Sequence, residues 1–167
     1  MSIVNSAPPQ PVPWSVLLNP VHCWSVGFGT GLLPVAPGTW GTFVGFPIYG
    51  LLHHMSAVPA MVLGMYGLMA SIMAADYSAR AWQTHDHPSI VCDEVVGFVP
   101  VLYTAPSSWL GFIWAFVLFR LFDFVKPWPI AWLDRRVAGG FGIVLDDVIA
   151  GVYASAVLLC LQHWQYL

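Results

Sequence analysis

The sequence predicts an all-α integral membrane protein, and three observations carry that prediction. Of its 167 residues, 58% are hydrophobic and only 8% are charged, whereas a soluble domain has about 25% charged residues. All 8 acidic and 5 basic residues lie between positions 76 and 147. Uncharged apolar runs within and beside this window are long enough to cross a bilayer. We therefore expect a membrane helical bundle with two helical hairpins, a C-terminal span, and polar loops that converge on the cytoplasmic face.

The same composition excludes several classes of protein. Five basic residues, each near an acid, cannot neutralise a track of phosphates, so we expect no nucleic-acid partner. The apolar content excludes a disordered chain, and three scattered cysteines are too few for a disulfide framework or a zinc site. The length favours one domain. We place this domain at residues 21–167, after a Pro-rich leader at residues 1–20 that lacks the basic start of a signal peptide.

The first half of the chain is predicted to contain a loop and one hairpin. Clustered prolines indicate that the leader is extended or interfacial. Closely spaced glycines and prolines predict a loop over residues 26–43. The apolar run Thr42–Ala75 would be roughly 50 Å long as a single helix, which exceeds a hydrocarbon core of about 30 Å. We therefore expect it to break at His53–Pro59 into two helices.

The second half is predicted to contain another hairpin and a final span. Ile90–Tyr103 and Trp109–Val125 are apolar and are separated by a Pro and Ser turn at residues 104–108. Ile143–Gln162 is long enough to cross the bilayer and is uncharged after Asp147.

Two hairpins would bring the polar segments to one side, because each hairpin returns the chain to the face it left. Residues 26–42, 76–94 and 120–147 should therefore share one face. Basic residues in or beside these segments place that face in the cytoplasm. They are Arg80, Lys126, Arg135 and Arg136.

Acidic residues near a bilayer are costly unless they are paired, hydrated or bound to metal, so the three acidic clusters of this chain require a reason. The clusters are HDHPSIVCDEVVG with Asp86, Asp93 and Glu94, FRLFDFVKPWPI with Arg120, Asp123 and Lys126, and GGFGIVLDDVIAG with Asp146 and Asp147.

Carboxylates from several helix ends form a set of hard oxygen ligands that suits Mg²⁺. Cations beside such a set indicate a phosphate, which Arg120 and Lys126 could bind. Two alternatives remain open. Arg120 and Asp123 lie three residues apart and could form a structural ion pair. The acidic site could also belong to a small membrane transporter or ion pathway, although that would require charges near the middle of the spans.

Four motifs in this order resemble those of the phosphatidylglycerophosphatase A family. They are GxGxxPxxPGTxGT from Gly29, HDHxSIVxDExxG from His85, FRxxDxxKPWPI from Phe119 and GGxGIxxDDxxAG from Gly139. The resemblance implies a helical, Mg²⁺-dependent lipid phosphatase of the bacterial cytoplasmic (inner) membrane. Such an enzyme hydrolyses phosphatidylglycerophosphate to phosphatidylglycerol and phosphate, the last step of phosphatidylglycerol synthesis.

With this resemblance, we assign three sets of site residues. The metal ligands are Asp86, Asp93, Glu94, Asp146 and Asp147. The catalytic residues are Asp86, Asp123, Arg120 and Lys126, and the phosphate-binding residues are Gly38, Thr39, Gly41 and Thr42. A metal-activated water is the preferred nucleophile because the motifs of other phosphatase chemistries are absent from the sequence. A phosphoenzyme on Asp86 or Asp123 stays open.

Overall fold

A computed structural model describes residues 11–84 and 86–164, and the described part contains helices and no strands, which confirms the all-α class. Predictions for residues 1–10 and for His85 lie outside these residues. The α-helices are α1 Pro20–Ser25, α2 Pro37–His53, α3 Ala57–Ala81, α4 Cys92–Thr104, α5 Trp109–Val125, α6 Ile130–Asp134 and α7 Gly139–His163. Two 3₁₀ helices, Trp14–Leu18 and Gly27–Leu32, precede α2.

Two predictions for the start of the chain are wrong in part. Residues 14–18 of the leader form a 3₁₀ helix rather than an extended segment. Moreover, α2 begins at Pro37, so only the first part of the predicted loop at residues 26–43 is non-α-helical. Proline is favourable in the first turn of a helix, where its missing N–H leaves no bond unmade. The left-handed Ala36 (φ 49°) turns the chain into this helix.

The predicted breaks between helices are confirmed. A short connection after His53 separates α2 from α3, and residues 105–108 separate α4 from α5. The helices of each pair nevertheless contact each other little, since α2 packs mainly on α4 while α3 packs mainly on α7. Their arrangement as hairpins in a membrane stays a prediction.

Helix α7 lies at the centre of the bundle, where it contacts α3, α4, α5 and α6. Glycines allow two of these contacts to be made by backbone atoms. A Cβ on Gly151 would lie 2.4 Å from the carbonyl oxygen of Gly97 in α4, and one on Gly140 would lie 2.0 Å from that of Ile72 in α3. Small residues that let helix backbones approach are typical of packing between membrane helices.

Two of the described helices, α3 and α7, are long and apolar enough to cross a membrane. Large apolar side chains on α3, including Met61, Tyr66 and Met73, are about 70% exposed. Soluble monomers rarely expose a continuous apolar surface of this extent. Lipid would cover this face of α3, so the exposure supports a membrane association.

Candidate active site

Five helix ends meet at one end of the bundle, which we call the polar end. They are the starts of α2, α4 and α7 and the last turns of α3 and α5. In both candidate spans, the half away from the polar end has no Asp, Glu, Lys or Arg. A transporter or ion pathway would need charge through the middle of its spans, so this distribution argues against that alternative.

An acidic trio lies within the polar end. Asp93 and Glu94 belong to the first turn of α4, and Asp147 belongs to α7. One carboxylate oxygen from each residue lies within 4.8 Å of the others. Asp93 and Asp147 are only 7% and 3% exposed. Carboxylates so close together and so little exposed are unfavourable unless a cation or a proton neutralises their charge.

Two oxygens of the trio support a bound cation. Asp93 Oδ1 and Glu94 Oε2 are buried and have no hydrogen-bond partner among the described residues. Burial and the charge of Asp147 raise the pKa of Glu94 to about 8, and burial and the charge of Glu94 raise the pKa of Asp93 well above its usual range. A divalent cation would compensate both the repulsion and the unmade bonds. The trio therefore fits Mg²⁺, which takes carboxylate oxygens.

Arg120 on α5 connects three elements at this site. Its Nη1 lies 2.6 Å from Asp123 Oδ2 and 3.7 Å from Glu94 Oε1. The same nitrogen donates to Thr42 Oγ1 at 3.4 Å. The structural ion pair with Asp123 therefore exists, but the guanidinium also reaches the acidic trio. Its side chain is 25% exposed, so part of it can be reached from outside.

Lys126 ends α5 with a left-handed backbone (φ 43°), which turns its side chain back toward α7. Its Nζ donates to Asp146 Oδ2 and lies 3.4 Å from Asp134 Oδ1. Burial alone would lower the pKa of Lys126, but the hydrogen bond to Asp146 and the surrounding acids raise it above its usual value. Lys126 is therefore positively charged, and Asp146 is engaged by it rather than joined to the trio.

Asp134 is the contact at this site that sequence reasoning missed. It belongs to the short helix α6 and faces Lys126. The sequence indicated this pairing only weakly, because Lys126 and Asp134 are eight residues apart and separated by two prolines. Asp86, a predicted ligand and catalytic residue, is exposed and lies outside the trio, although its charge acts on Asp93 and Asp146.

The predicted phosphate-binding residues lie in the first turns of α2 rather than in a loop. Gly38 and Gly41 allow α2 to approach α4, since added Cβ atoms would lie 2.1 Å from Glu94 Oε1 and 2.5 Å from Val91 Cβ. Thr42 is buried, and its hydroxyl donates to the carbonyl of Gly38 at 2.9 Å. Thr39 is partly exposed at the same helix start. Packing thus explains the two glycines, and phosphate binding by these residues stays a prediction.

The cysteine nearest the trio is unsuited to act as a nucleophile. Cys92 is fully buried, and its thiol lies 3.7 Å from the carbonyl oxygen of Ser71. Burial raises the pKa of the Cys92 thiol well above its usual value. A protonated, inaccessible thiol is unreactive, so the chemistry of the site rests on oxygen and nitrogen groups.

The fold and the site together define a class: helical proteins with two helices long and apolar enough to cross a membrane and a largely buried acidic cluster flanked by cations at one end of the bundle. Comparison with known proteins assigns the chain to a family. The chain belongs to the phosphatidylglycerophosphatase A family, whose model matches residues 23–162. It is therefore a member of a family of phosphatase enzymes.

Similar proteins cover most of the chain. Phosphatidylglycerophosphatase A of Haemophilus influenzae is 42% identical over 89% of this chain and 92% of its own length. The protein of the same name from Escherichia coli is 38% identical over 87% of this chain and 86% of its own. A Bacteroides thetaiotaomicron protein, provisionally named a phosphatidylinositol-3-phosphatase, is 36% identical over 83% of this chain and 90% of its own. No solved structure matches the chain significantly.

Proposed function

We propose that this protein hydrolyses phosphatidylglycerophosphate to phosphatidylglycerol and inorganic phosphate, with Mg²⁺, in bacterial phospholipid synthesis. The observation that carries the proposal is the buried acidic trio beside two cations in a chain of this family. The relatives from Haemophilus influenzae and Escherichia coli bear the name of that activity.

Asp93, Glu94 and Asp147 would hold the metal ion. Their oxygens converge within 4.8 Å, and Asp86 and Asp146 would contribute through water. When bound, Mg²⁺ would polarise a phosphoryl oxygen and lower the pKa of a coordinated water.

Arg120 and Lys126 would bind the phosphoryl oxygens and stabilise the negative charge that develops as the glycerol oxygen leaves. Asp123 holds the Arg120 guanidinium at 2.6 Å, and Asp146 holds the Lys126 ammonium, so both cations are fixed before substrate arrives. The exposed Asp86 is our candidate to accept the proton of the attacking water.

The polar end would lie at the cytoplasmic surface of the cytoplasmic membrane. In this position the phosphate group stays in water while the acyl chains stay in lipid. Lys and Arg residues near the polar end favour the cytoplasmic side.

The first test measures phosphate release from phosphatidylglycerophosphate in detergent micelles, with Mg²⁺ or with EDTA. We expect Mg²⁺-dependent release that Lys126→Ala abolishes and that Asp93→Asn strongly lowers at the same Mg²⁺ concentration. Asp76→Asn and Arg80→Ala are matched controls, because this 2.8 Å ion pair lies at the polar end but outside the trio. Both controls should retain activity.

Three results would contradict the proposal. Release that is unaffected by EDTA would remove the metal. Faster hydrolysis of phosphatidylinositol 3-phosphate would reassign the substrate toward the one in the name of the Bacteroides relative. No release from any lipid phosphate, with the protein folded, would return the acidic site to the transporter alternative.

A further inference from the structure

A cationic surface on α6 has no part in the proposed reaction. It forms an open cavity of about 410 Å³, within the range of about 300–1,000 Å³ that small-molecule sites occupy. None of the acidic trio lines it. We call it the α6 cavity, and its lining residues are Trp128, Ala131, Trp132, Arg135 and Arg136.

Helix α6 has an inner and an outer face, and the α6 cavity is on the outer one. Ile130 and Asp134 lie four residues apart and therefore share one side of the helix. That side points inward, because Ile130 is completely buried and Asp134 faces Lys126. Trp132 and the two arginines that follow Asp134 are exposed instead. The short helix therefore carries one face toward the candidate active site and one toward the surroundings of the protein.

The two arginines of the α6 cavity have no acidic partner within the described part of the chain, whereas the other three basic residues each form an ion pair. Arg135 donates through Nε to the carbonyl of Ala131 at 2.9 Å, which holds its guanidinium in place. Arg136 lies over the ring of Trp132, with Cζ 5.1 Å from the ring centre. Guanidinium groups held in this way, without an acid to neutralise them, suit the oxygens of a phosphate.

Exposed aromatic side chains accompany these cations. Trp128 lines the α6 cavity and is 80% exposed, and Phe124, four residues earlier at the end of α5, is 88% exposed. Tryptophan is enriched where a bilayer meets water, because its ring is apolar and its N–H is polar. Cations between exposed aromatic rings therefore match the headgroup of a lipid better than a soluble anion, which would leave the rings in water.

We propose that the α6 cavity binds the phosphodiester headgroup of an anionic bilayer lipid, with Arg135 and Arg136 on the phosphate oxygens. A lipid with net negative charge is favoured, because a zwitterionic lipid brings an ammonium group that the two arginines would repel. This site is separate from the acidic trio and does not depend on the proposed hydrolysis. A lipid bound there would hold α6 at the membrane surface while Asp134, on the inner face, stays against Lys126.

Three variants separate this site from the rest of the polar end. The double variant Arg135→Gln/Arg136→Gln removes both charges from the α6 cavity. Arg80→Gln is the matched control, because the Arg80 side chain is 80% exposed at the polar end but does not line the cavity. Arg120→Gln tests for lipid bound at the candidate active site, where Arg120 contacts Glu94 and Asp123.

The experiment measures the unfolding temperature of the full chain in uncharged detergent micelles with EDTA, as phosphatidylglycerol is added. A ligand that binds only the folded protein raises this temperature. Each arginine near a charged surface contributes roughly fivefold to binding, so the double variant should need at least tenfold more phosphatidylglycerol than wild type for the same rise. Arg80→Gln and Arg120→Gln should need less than twofold more.

Four results would overturn the proposal. An equal rise with phosphatidylcholine would show that the protein responds to bulk lipid. An equal rise with soluble glycerophosphoglycerol would show that it binds the headgroup anion alone. An unchanged requirement in the double variant would place the lipid elsewhere, and a tenfold change in Arg120→Gln would place it at the candidate active site.

A second measurement uses wild-type protein alone, so it does not require any variant to fold. The protein is photolabelled with phosphatidylglycerol that carries a diazirine on its headgroup glycerol, and the labelled peptides are identified by mass spectrometry. We expect label on residues 128–136, prevented by excess unlabelled phosphatidylglycerol but not by phosphatidylcholine. Label confined to other segments, or equal protection by both lipids, would overturn the inference. Neither measurement involves hydrolysis, so the proposed function is tested separately.

Discussion

Gly38 leaves just enough room for the carboxylate of Glu94, and Gly38→Ala tests how much the position of that carboxylate matters. The added Cβ would lie 2.1 Å from Glu94 Oε1 and 3.3 Å from Arg120 Nη2. Cβ atoms essentially never approach another atom closer than 3.0 Å. The Glu94 carboxylate must therefore retreat by about 1 Å, which can lower a catalytic rate about 10²-fold.

The folded protein should tolerate the same change well. Glu94 Oε1 is the end of a flexible side chain, and replacing a helical glycine by alanine stabilises a helix by about 1 kcal/mol. We expect Gly38→Ala to lower kcat/KM for phosphatidylglycerophosphate about 100-fold while the unfolding temperature changes by only a few degrees. Phosphate release and thermal unfolding measure the two effects. Gly50→Ala, with no atom within 4 Å of its Cβ, should leave kcat/KM unchanged.

A double-mutant cycle decides whether Gly38 acts through Glu94. In a Glu94→Gln background, Gly38→Ala should lower the residual kcat/KM less than threefold, because coupled residues are not additive. The reasoning is refuted if the single variant keeps more than a third of wild-type kcat/KM. It is also refuted if the 100-fold loss recurs in full in the Glu94→Gln background.

Three further predictions concern the metal, Arg120 and pH. Asp93→Asn should raise the Mg²⁺ concentration for half-maximal activity at least tenfold, whereas Asp76→Asn should leave it unchanged. The same Mg²⁺ concentration for both variants would remove Asp93 from the metal site. Arg120→Lys should lower kcat/KM about 10- to 100-fold, because an ammonium cannot reach all three guanidinium partners; near-normal kinetics would contradict this. The pKa of Glu94 is about 8 in the folded protein and 4.5 in an unfolded chain. Between these pH values the unfolded chain has lost this proton, whereas the folded protein keeps it. The unfolding temperature in EDTA should therefore fall as pH rises from 4.5 to 8. Glu94→Gln should make this fall smaller. An equal fall in both proteins would be inconsistent with a raised pKa of Glu94.

The convergence of the polar segments followed from the sequence because helix breaks leave local signals. Prolines, glycines and the length of an apolar run located the connections after His53 and Thr104. An even number of membrane crossings between the charged segments then predicted that they share one face. In the structure, Glu94, Arg120 and Lys126 do contact partners from other helices. Which acids meet which cations needed the structure, since Lys126 pairs with Asp146 across twenty residues.

The role of the glycines could not be deduced in the same way. A run such as PGTWGT contains residues that favour loops, yet it begins α2 because Pro37 suits a first turn. Gly38 and Gly41 are needed for contacts with α4, a helix more than fifty residues later. Such close approaches depend on tertiary packing, which no local pattern encodes. The divergence of α2 and α3 was hidden for the same reason.

The central position of α7 has a consequence for how the protein is made. A ribosome synthesises α7 after every other described helix, yet this helix supplies Asp146 and Asp147 and contacts α3, α4, α5 and α6. Until α7 has been made, Lys126 lacks its Asp146 partner, Asp93 and Glu94 lack their third carboxylate, and Gly97 lacks the helix that packs on it. A nascent chain therefore holds an incomplete site. Packing of α7 against the other helices would complete the bundle and the site in a single late step.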